Sequence, residues 1–373
     1  MENKESCVDP IVDVSHKPES EDKIFFGDYG SLIRVDSVSH KIAKKLKEQS
    51  ESNVWFPKKF DYTKDKEGWD RLDEVTRGIF KRNISYQNLT DSGVVNEYLR
   101  LLAPIASSTI WRILYIRIGM EETVHSESYS MALDNALPDI ANEVIDLVYV
   151  DKELQSRMNV EAAVAEKLER IVLVEGKRDD EAKKALLELL LVTFILEGIK
   201  FPFSFLVSFT IHNNNNNALP GITGCITDIC NDEMETHVPT GKNVMNILRR
   251  EKNQGFSHLF ESGWFKEKAR ELFENVIANE DRWIESLMSD GEIPNLNTAI
   301  SKNFVRYRAD VLLKMLKLEN DISFGGKKTD IEDWFDLYRN VDKRNVAKQE
   351  SDSMGYQKGK LVNDLSVLDE EEN

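Results

Sequence analysis

Glu122-Glu-Thr-Val-His-Ser-Glu-Ser-Tyr129 and, further along, Asp232-Glu-Met-Glu-Thr-His237 decide the reading of this chain. Each string sets a carboxylate and an imidazole on one helix. Glu122 and His125, three residues apart, fall about 60° from each other around the axis. Tyr129 comes one turn after His125. Two such helices, with one more carboxylate from each of two others, make a box for a pair of metal ions.

The second string is irregular. Position 234, three residues before His237, is Met. Glu233, four before, lies about 40° from the histidine, whereas Glu235, two before, points about 200° away. The extra residue can be absorbed as a π-bulge, a feature that concentrates at functional sites. Glu233 is therefore the expected ligand and Glu235 the alternative.

Two further carboxylates complete the set. Glu197 sits in Leu189-Leu-Leu-Val-Thr-Phe-Ile-Leu-Glu197-Gly-Ile199, where an unpaired charge is costly and a metal cation is the usual compensation. Asp91 closes Ile84-Ser-Tyr-Gln-Asn-Leu-Thr-Asp91. Asp91, Glu122, His125, Glu197, Glu233 and His237 give four carboxylates and two imidazoles, a donor set that suits iron or manganese better than zinc or copper. Singly, each is an ordinary core residue. Together, on separate helices, they make a site.

Composition narrows the class. The chain has 373 residues, 41% hydrophobic and 31% charged, normal for a well-packed soluble protein. A net charge of -17 argues against nucleic acid as a partner. Three cysteines, Cys7, Cys225 and Cys230, form no CxxC and no even framework, which fits a reducing interior. Any dithiol chemistry then belongs to another polypeptide. The first residues lack the apolar core of a signal peptide. The longest apolar stretch, 185–209, is broken by Glu188, Glu197, Lys200 and Pro202, so a buried helix is expected there rather than a membrane span. The expected place is the cytoplasm.

Organisation comes from periodicity. Residues 1–22 are polar and expected to lack fixed structure. The span 23–340 is expected to form an all-α bundle, with helices near 38–49, 68–100, 102–131, 134–150, 159–175, 179–209, 222–251, 262–289 and 296–319. Asp91-Ser92 and Pro294-Asn295 read as capping signals near breaks, and Asn213–Asn217 as a connection between helices. No GxGxxG turn or strand-rich block argues for a nucleotide-binding fold. From 341 to 373 apolar residues thin out, and the end, LVNDLSVLDEEEN, carries five acidic groups with scattered Leu and Val. Composition favours a solvated tail; the apolar residues fit a segment that folds onto a partner's groove.

These residues resemble the small, radical-generating subunit of class I ribonucleotide reductase. The resemblance runs nearly end to end, through Phe25-Phe-Gly27, Trp55-Phe-Pro57, Tyr86-Gln-Asn-Leu-Thr-Asp-Ser92, Glu122-x-x-His-Ser-x-Ser-Tyr129, Leu196-Glu-Gly-Ile-Lys-Phe201 and Asp232-Glu233 to the tail. It implies a ferritin-like bundle and two iron ions held by the six residues above, a manganese–iron pair being the alternative. It implies that dioxygen activation there oxidises Tyr129 to a stable radical, sheltered by Phe201, Phe205 and Ile229. The radical is then expected to travel through His125, Asp232 and Trp55 to Tyr356 in the tail. The tail docks on the large subunit, which reduces ribonucleotides with thioredoxin- or glutaredoxin-class dithiols. A homodimer is implied as well. Departures are the Glu233–His237 step, the Asn run, Asp330-Ile-Glu-Asp-Trp334 and a last segment more acidic than usual. The rival readings are a ferritin-like iron-binding or iron-storage protein, which has no need of Tyr129, Trp55 or Tyr356, and a di-iron oxidase of a lipid or other small molecule, which would want a substrate channel rather than a sealed pocket.

Overall fold

Long stretches in which proline and glycine are sparse, some of them opened by side-chain caps, form helices. In a computed structural model, which describes residues 23–28 and 40–339, they form a bundle. Among the described residues there is no strand, only two isolated bridges, Phe25 with Ala106 and Ile293 with Leu296. Four long helical stretches make the centre: Glu74–Asn96, Thr109–Ala136, Asp180–Asn214, and Pro220–Asp232 with its continuation to Arg250. Asp73 starts the first by accepting from the Thr76 amide at 2.8 Å. Asp179 starts the third by accepting from Glu181 and Ala182 at 3.0 and 3.2 Å. Each cap contributes about 1 kcal/mol.

Helix boundaries differ from the sequence expectation in instructive places. The first central helix begins at Glu74, not near 68, because Asp65–Arg71 is a separate short helix and Asp73 caps the longer one. Asp91-Ser92 is no break. Asp91 lies inside a continuous helix, fully buried, so its carboxylate serves the bundle interior rather than an amide end. Near Pro294 the cap is Asn297, which accepts from the Ile300 amide at 2.9 Å. The Asn run is the expected connection: the helix ends at Asn214, and Asn216 and Asn217 take φ values of 53° and 54°, a region asparagine tolerates. Residues 1–22, 29–39 and 340–373, with their expected organisation, lie outside the described part.

The Asp180–Asn214 helix has the length and apolarity to cross a membrane, yet its most apolar window is entirely buried. A helix apolar on every face is the centre of a bundle. It is interrupted by a π-turn at Leu196–Lys200 that holds Glu197. Gly198 lets the helices approach closely there: a Cβ would come within 2.5 Å of the Leu312 side chain on the Thr298–Met315 helix and force it to shift. The Gly198 carbonyl accepts instead from Arg308 Nε at 2.9 Å.

Beneath this turn lies a buried charged network. Arg157 donates Nε and one terminal nitrogen to Glu280, both at 2.6 Å, and its guanidinium sits 3.5 Å from the Tyr86 ring centroid. Lys200 donates to Glu161 at 2.6 Å and caps the Arg157 carbonyl. All four charged groups are buried. Removing one partner strands a charge, so Glu280→Ala should lower unfolding stability by about 3–5 kcal/mol. Chemical denaturation of the metal-free protein reads this; a loss under about 1 kcal/mol would mean that Arg157 finds another partner or reaches water.

Candidate metal centre

Six side chains meet between the central helices. Asp91 comes from the first, Glu122 and His125 from the second, Glu197 from the third, Glu233 and His237 from the fourth. Two overlapping groups have ligand atoms within 4.8 Å of one another: Glu122, Glu197, Glu233 and His237, and Asp91, Glu122 and His125. Glu122 belongs to both.

Which atoms face which imidazole defines the pairing. Glu122 puts one oxygen 3.5 Å from His125 Nδ1 and the other 3.0 Å from His237 Nδ1. Glu233 does the same, at 3.2 and 2.6 Å. Both carboxylates thus span the two halves, while Asp91 Oδ2 lies 3.9 Å from His125 Nδ1 alone. Glu197 belongs to the His237 half. The cluster thus has two adjoining halves, with Glu122 and Glu233 facing both imidazoles.

The donor set fits a pair of cations on one direct observation. Both oxygens of Asp91, Glu122, Glu197 and Glu233, and Nδ1 of both histidines, are buried without a hydrogen-bond partner. Leaving ten such atoms bare would cost about 1–3 kcal/mol each, more for charged groups. Four carboxylates match the charge of two divalent ions. Without metal, burial and then Glu122 hold the Asp91 carboxyl well above its usual range; burial and then Glu233 do the same to Glu197. Burial also opposes charge on Glu233, but the two imidazoles outweigh it and lower that carboxyl. Burial resists charging both histidines, and the surrounding carboxylates reverse this and raise them.

The irregular step resolves as a π-turn. Glu233–His237 is π-helical, so the extra residue is taken up inside the helix. Glu233 is fully buried in the box, while Glu235 is half-buried and outside it.

Each histidine is oriented from outside by an acid on the opposite helix of the box. His125 Nε2 lies 3.3 Å from Asp232 Oδ2, to which Trp55 Nε1 also donates at 2.7 Å. Trp55 stacks on the His125 ring at 6.0 Å with 17° between planes. Burial pushes the Asp232 carboxyl up to about 6, against the lowering effect of His125. On the other side His237 Nε2 lies 3.0 Å from Glu121 Oε2, and Ser50 donates to Glu121 Oε1 at 2.5 Å. Glu121-Glu122 and Asp232-Glu233 are therefore paired devices: the second acid enters the box, and the first holds the other helix's imidazole. Glu121 was not singled out from sequence, although the tandem acids in both strings carried the signal.

Tyr129 is buried on the same helix as His125, and its hydroxyl has no hydrogen-bond partner. Burial, then the nearby Asp91 charge, hold its phenol well above the ordinary range. Phe201, Phe205 and Ile229 are fully buried; the two phenylalanines stack at 5.6 Å. Tyr356 lies outside the described residues.

Fold and site together define a ferritin-like bundle with a buried carboxylate–histidine cluster that could hold metal. A sequence profile described as "Ribonucleotide reductase, small chain" matches residues 33–322. The chain belongs to that family, and is thus the small subunit of an oxidoreductase that works with a large subunit and usually as a dimer. It is similar to the ribonucleoside-diphosphate reductase subunit beta of Buchnera aphidicola (Schizaphis graminum), 26% identical over 92% of this chain and 93% of that one. The ribonucleoside-diphosphate reductase 1 subunit beta of Escherichia coli O157:H7 is likewise 26% identical, over 93% of this chain and 94% of that one. Among solved structures, a ribonucleotide reductase R2 subunit from Clostridium botulinum superposes with a TM-score of 0.75, at 20% identity over 86% and 94% of the chains. A dimanganese(II) NrdF from Streptococcus sanguinis gives 0.64, at 20% identity over 84% and 100%.

Proposed function

We propose that this chain stores a radical on Tyr129 and delivers its oxidising equivalent to the large subunit, where ribonucleoside diphosphates are reduced. Two iron ions, or a manganese–iron pair, held by Asp91, Glu122, His125, Glu197, Glu233 and His237, would supply the oxidising power through dioxygen. The observation that carries this reading is the set of six buried side chains whose inward-facing oxygens and Nδ1 atoms have no hydrogen-bond partner, one helical turn from a buried, unbonded tyrosine.

The chain's own residues do the rest. Glu122 and Glu233, which face both imidazoles, would be shared by the two metals and hold the two halves of the box together. Asp232 and Glu121 hold the outer nitrogens of the histidines, which leaves Nδ1 free to ligate. Tyr129, donating to nothing, keeps its hydroxyl hydrogen available to an oxidant. Phe201, Phe205 and Ile229 exclude water and reductants from that side. The hydrogen-bonded series His125, Asp232, Trp55 is the exit for the oxidising equivalent, and Tyr356 in the tail is the next station. The work is expected in the cytoplasm, where reducing dithiols are available.

Metal stoichiometry tests the ligand set. Two metal ions per chain are expected in the wild type after anaerobic loading with ferrous iron. Glu233→Ala should bind markedly less, with Glu235→Ala unchanged. The reverse ranking would shift the register of the fourth helix and make Glu235 the ligand.

The tail makes a separate prediction. Deleting residues 361–373 should abolish large-subunit binding but spare the radical, whereas Tyr356→Phe should spare both and abolish turnover. Phenylalanine keeps the ring but is not oxidised at accessible potentials. Full turnover by Tyr356→Phe would refute the tail route, and undiminished affinity of the truncated chain would refute docking.

A further inference from the structure

A row of aromatic rings continues from the imidazole pair at the end away from Trp55. His125 and His237 stack at 5.8 Å, and Trp55 touches the first of them. Tyr98 touches the second, with ring centroids 6.2 Å apart. Tyr115 lies 6.0 Å from Tyr98, Trp111 6.2 Å from Tyr115, and His40 6.1 Å from Trp111. All are within the contact range of aromatic pairs. The row ends at His40, beside the exposed Lys41.

Packing alone does not account for these residue types. Trp111 Nε1 and the Tyr115 hydroxyl are buried with no hydrogen-bond partner, where Phe or Leu would fill the space without that penalty. What Tyr and Trp add is oxidisability. A cavity of about 10 Å³, lined by Tyr98, Tyr115, Glu197 and His237 among others, has room for one water.

We propose that Tyr98, Tyr115 and Trp111 form a second electron-transfer chain, through which an external one-electron reductant of the thiol or ascorbate class quenches oxidising equivalents that Tyr129 has not taken. The inference rests on the radical-generating reading above. One electron leaves Tyr98 for the centre, and Tyr98 is refilled from Tyr115, Tyr115 from Trp111, and Trp111 from the reductant at the His40 end. Each phenolic proton passes to the cavity water on oxidation and returns on re-reduction. No bond in the chain is made or lost; the reductant alone ends oxidised, by one electron.

The test uses Tyr129→Phe, in which the normal acceptor is gone. The full-length variant is loaded with ferrous iron in air, without reductant, and oxygen addition at tryptophans is read by peptide mass spectrometry. Trp111 should be modified several-fold more than Trp283 and Trp69, buried tryptophans outside the row. Adding Tyr98→Phe, or ascorbate, should lower the Trp111 modification several-fold. Should Tyr98→Phe fail to fold, Tyr115→Phe cuts the next link with the same expectation. Equal modification of the three tryptophans, or modification at Trp111 indifferent to both cuts, overturns the chain. Wild-type protein in the same series separates the two ideas. If it binds two metals and forms the radical while Trp111 stays unmodified in the variant, only the chain falls. If it does neither, the radical-generating reading falls and the chain with it.

Discussion

Tyr129→Phe is expected to remove the radical signal entirely, with two metal ions per chain and the helix content unchanged. The substitution deletes one hydroxyl that donates to nothing in the fold. Its ring stays on the Thr109–Ala136 helix, whose packing does not depend on that oxygen. Stability should therefore hold or rise slightly, since a buried hydroxyl without a partner is itself unfavourable. What is lost is the only group on that helix, one turn from the box, that can give up an electron and a proton together. Spectroscopy after aerobic metal loading reads the radical, and metal analysis reads the box. A tyrosyl signal that persists in the variant would move the radical elsewhere.

The second large effect is expected at Asp232. Asp232→Ala should abolish ribonucleotide reduction with the large subunit while the Tyr129 radical and partner binding survive. One carboxylate oxygen receives Trp55 Nε1 at 2.7 Å and faces His125 Nε2 at 3.3 Å, so it is the hydrogen-bonded link between the box and the indole, beside the ring stacking of Trp55 on His125. Alanine leaves both nitrogens unpaired in a buried place, at about 1–3 kcal/mol of stability. That loss is small beside a broken route. Turnover, radical yield and partner affinity measured on one preparation separate the two effects; near wild-type turnover would show that the equivalent leaves by another path.

Much of this was legible before any coordinates. Periodicity gave an all-α chain, and residue chemistry gave Glu122, His125, Glu197 and Asp91 as one set, because buried carboxylates without cations demand an explanation. What sequence could not give was local backbone geometry. The π-turns at Leu196–Lys200 and Glu233–His237 have no composition signal, and only the misfit of Met234 hinted at the second. Asp91-Ser92 resembled a cap because the same short polar residues serve helix ends and buried sites alike. Only burial tells them apart. Glu121 escaped notice because its role depends on where the fourth helix places His237, a contact between residues far apart in the chain. Trp55 and Asp232 emerged only through family resemblance, since nothing local in either sequence marks their hydrogen bond.

One measurement tests the central claim most directly: the electron paramagnetic resonance spectrum of the full-length wild-type protein, taken after ferrous iron is added in air and paired with metal analysis. The account predicts two iron ions per chain and a tyrosyl radical whose signal narrows when the protein carries ring-deuterated tyrosine. Two metal ions per chain with no radical, whether loaded with iron or with manganese and iron together, would contradict it and leave an iron-binding bundle in its place.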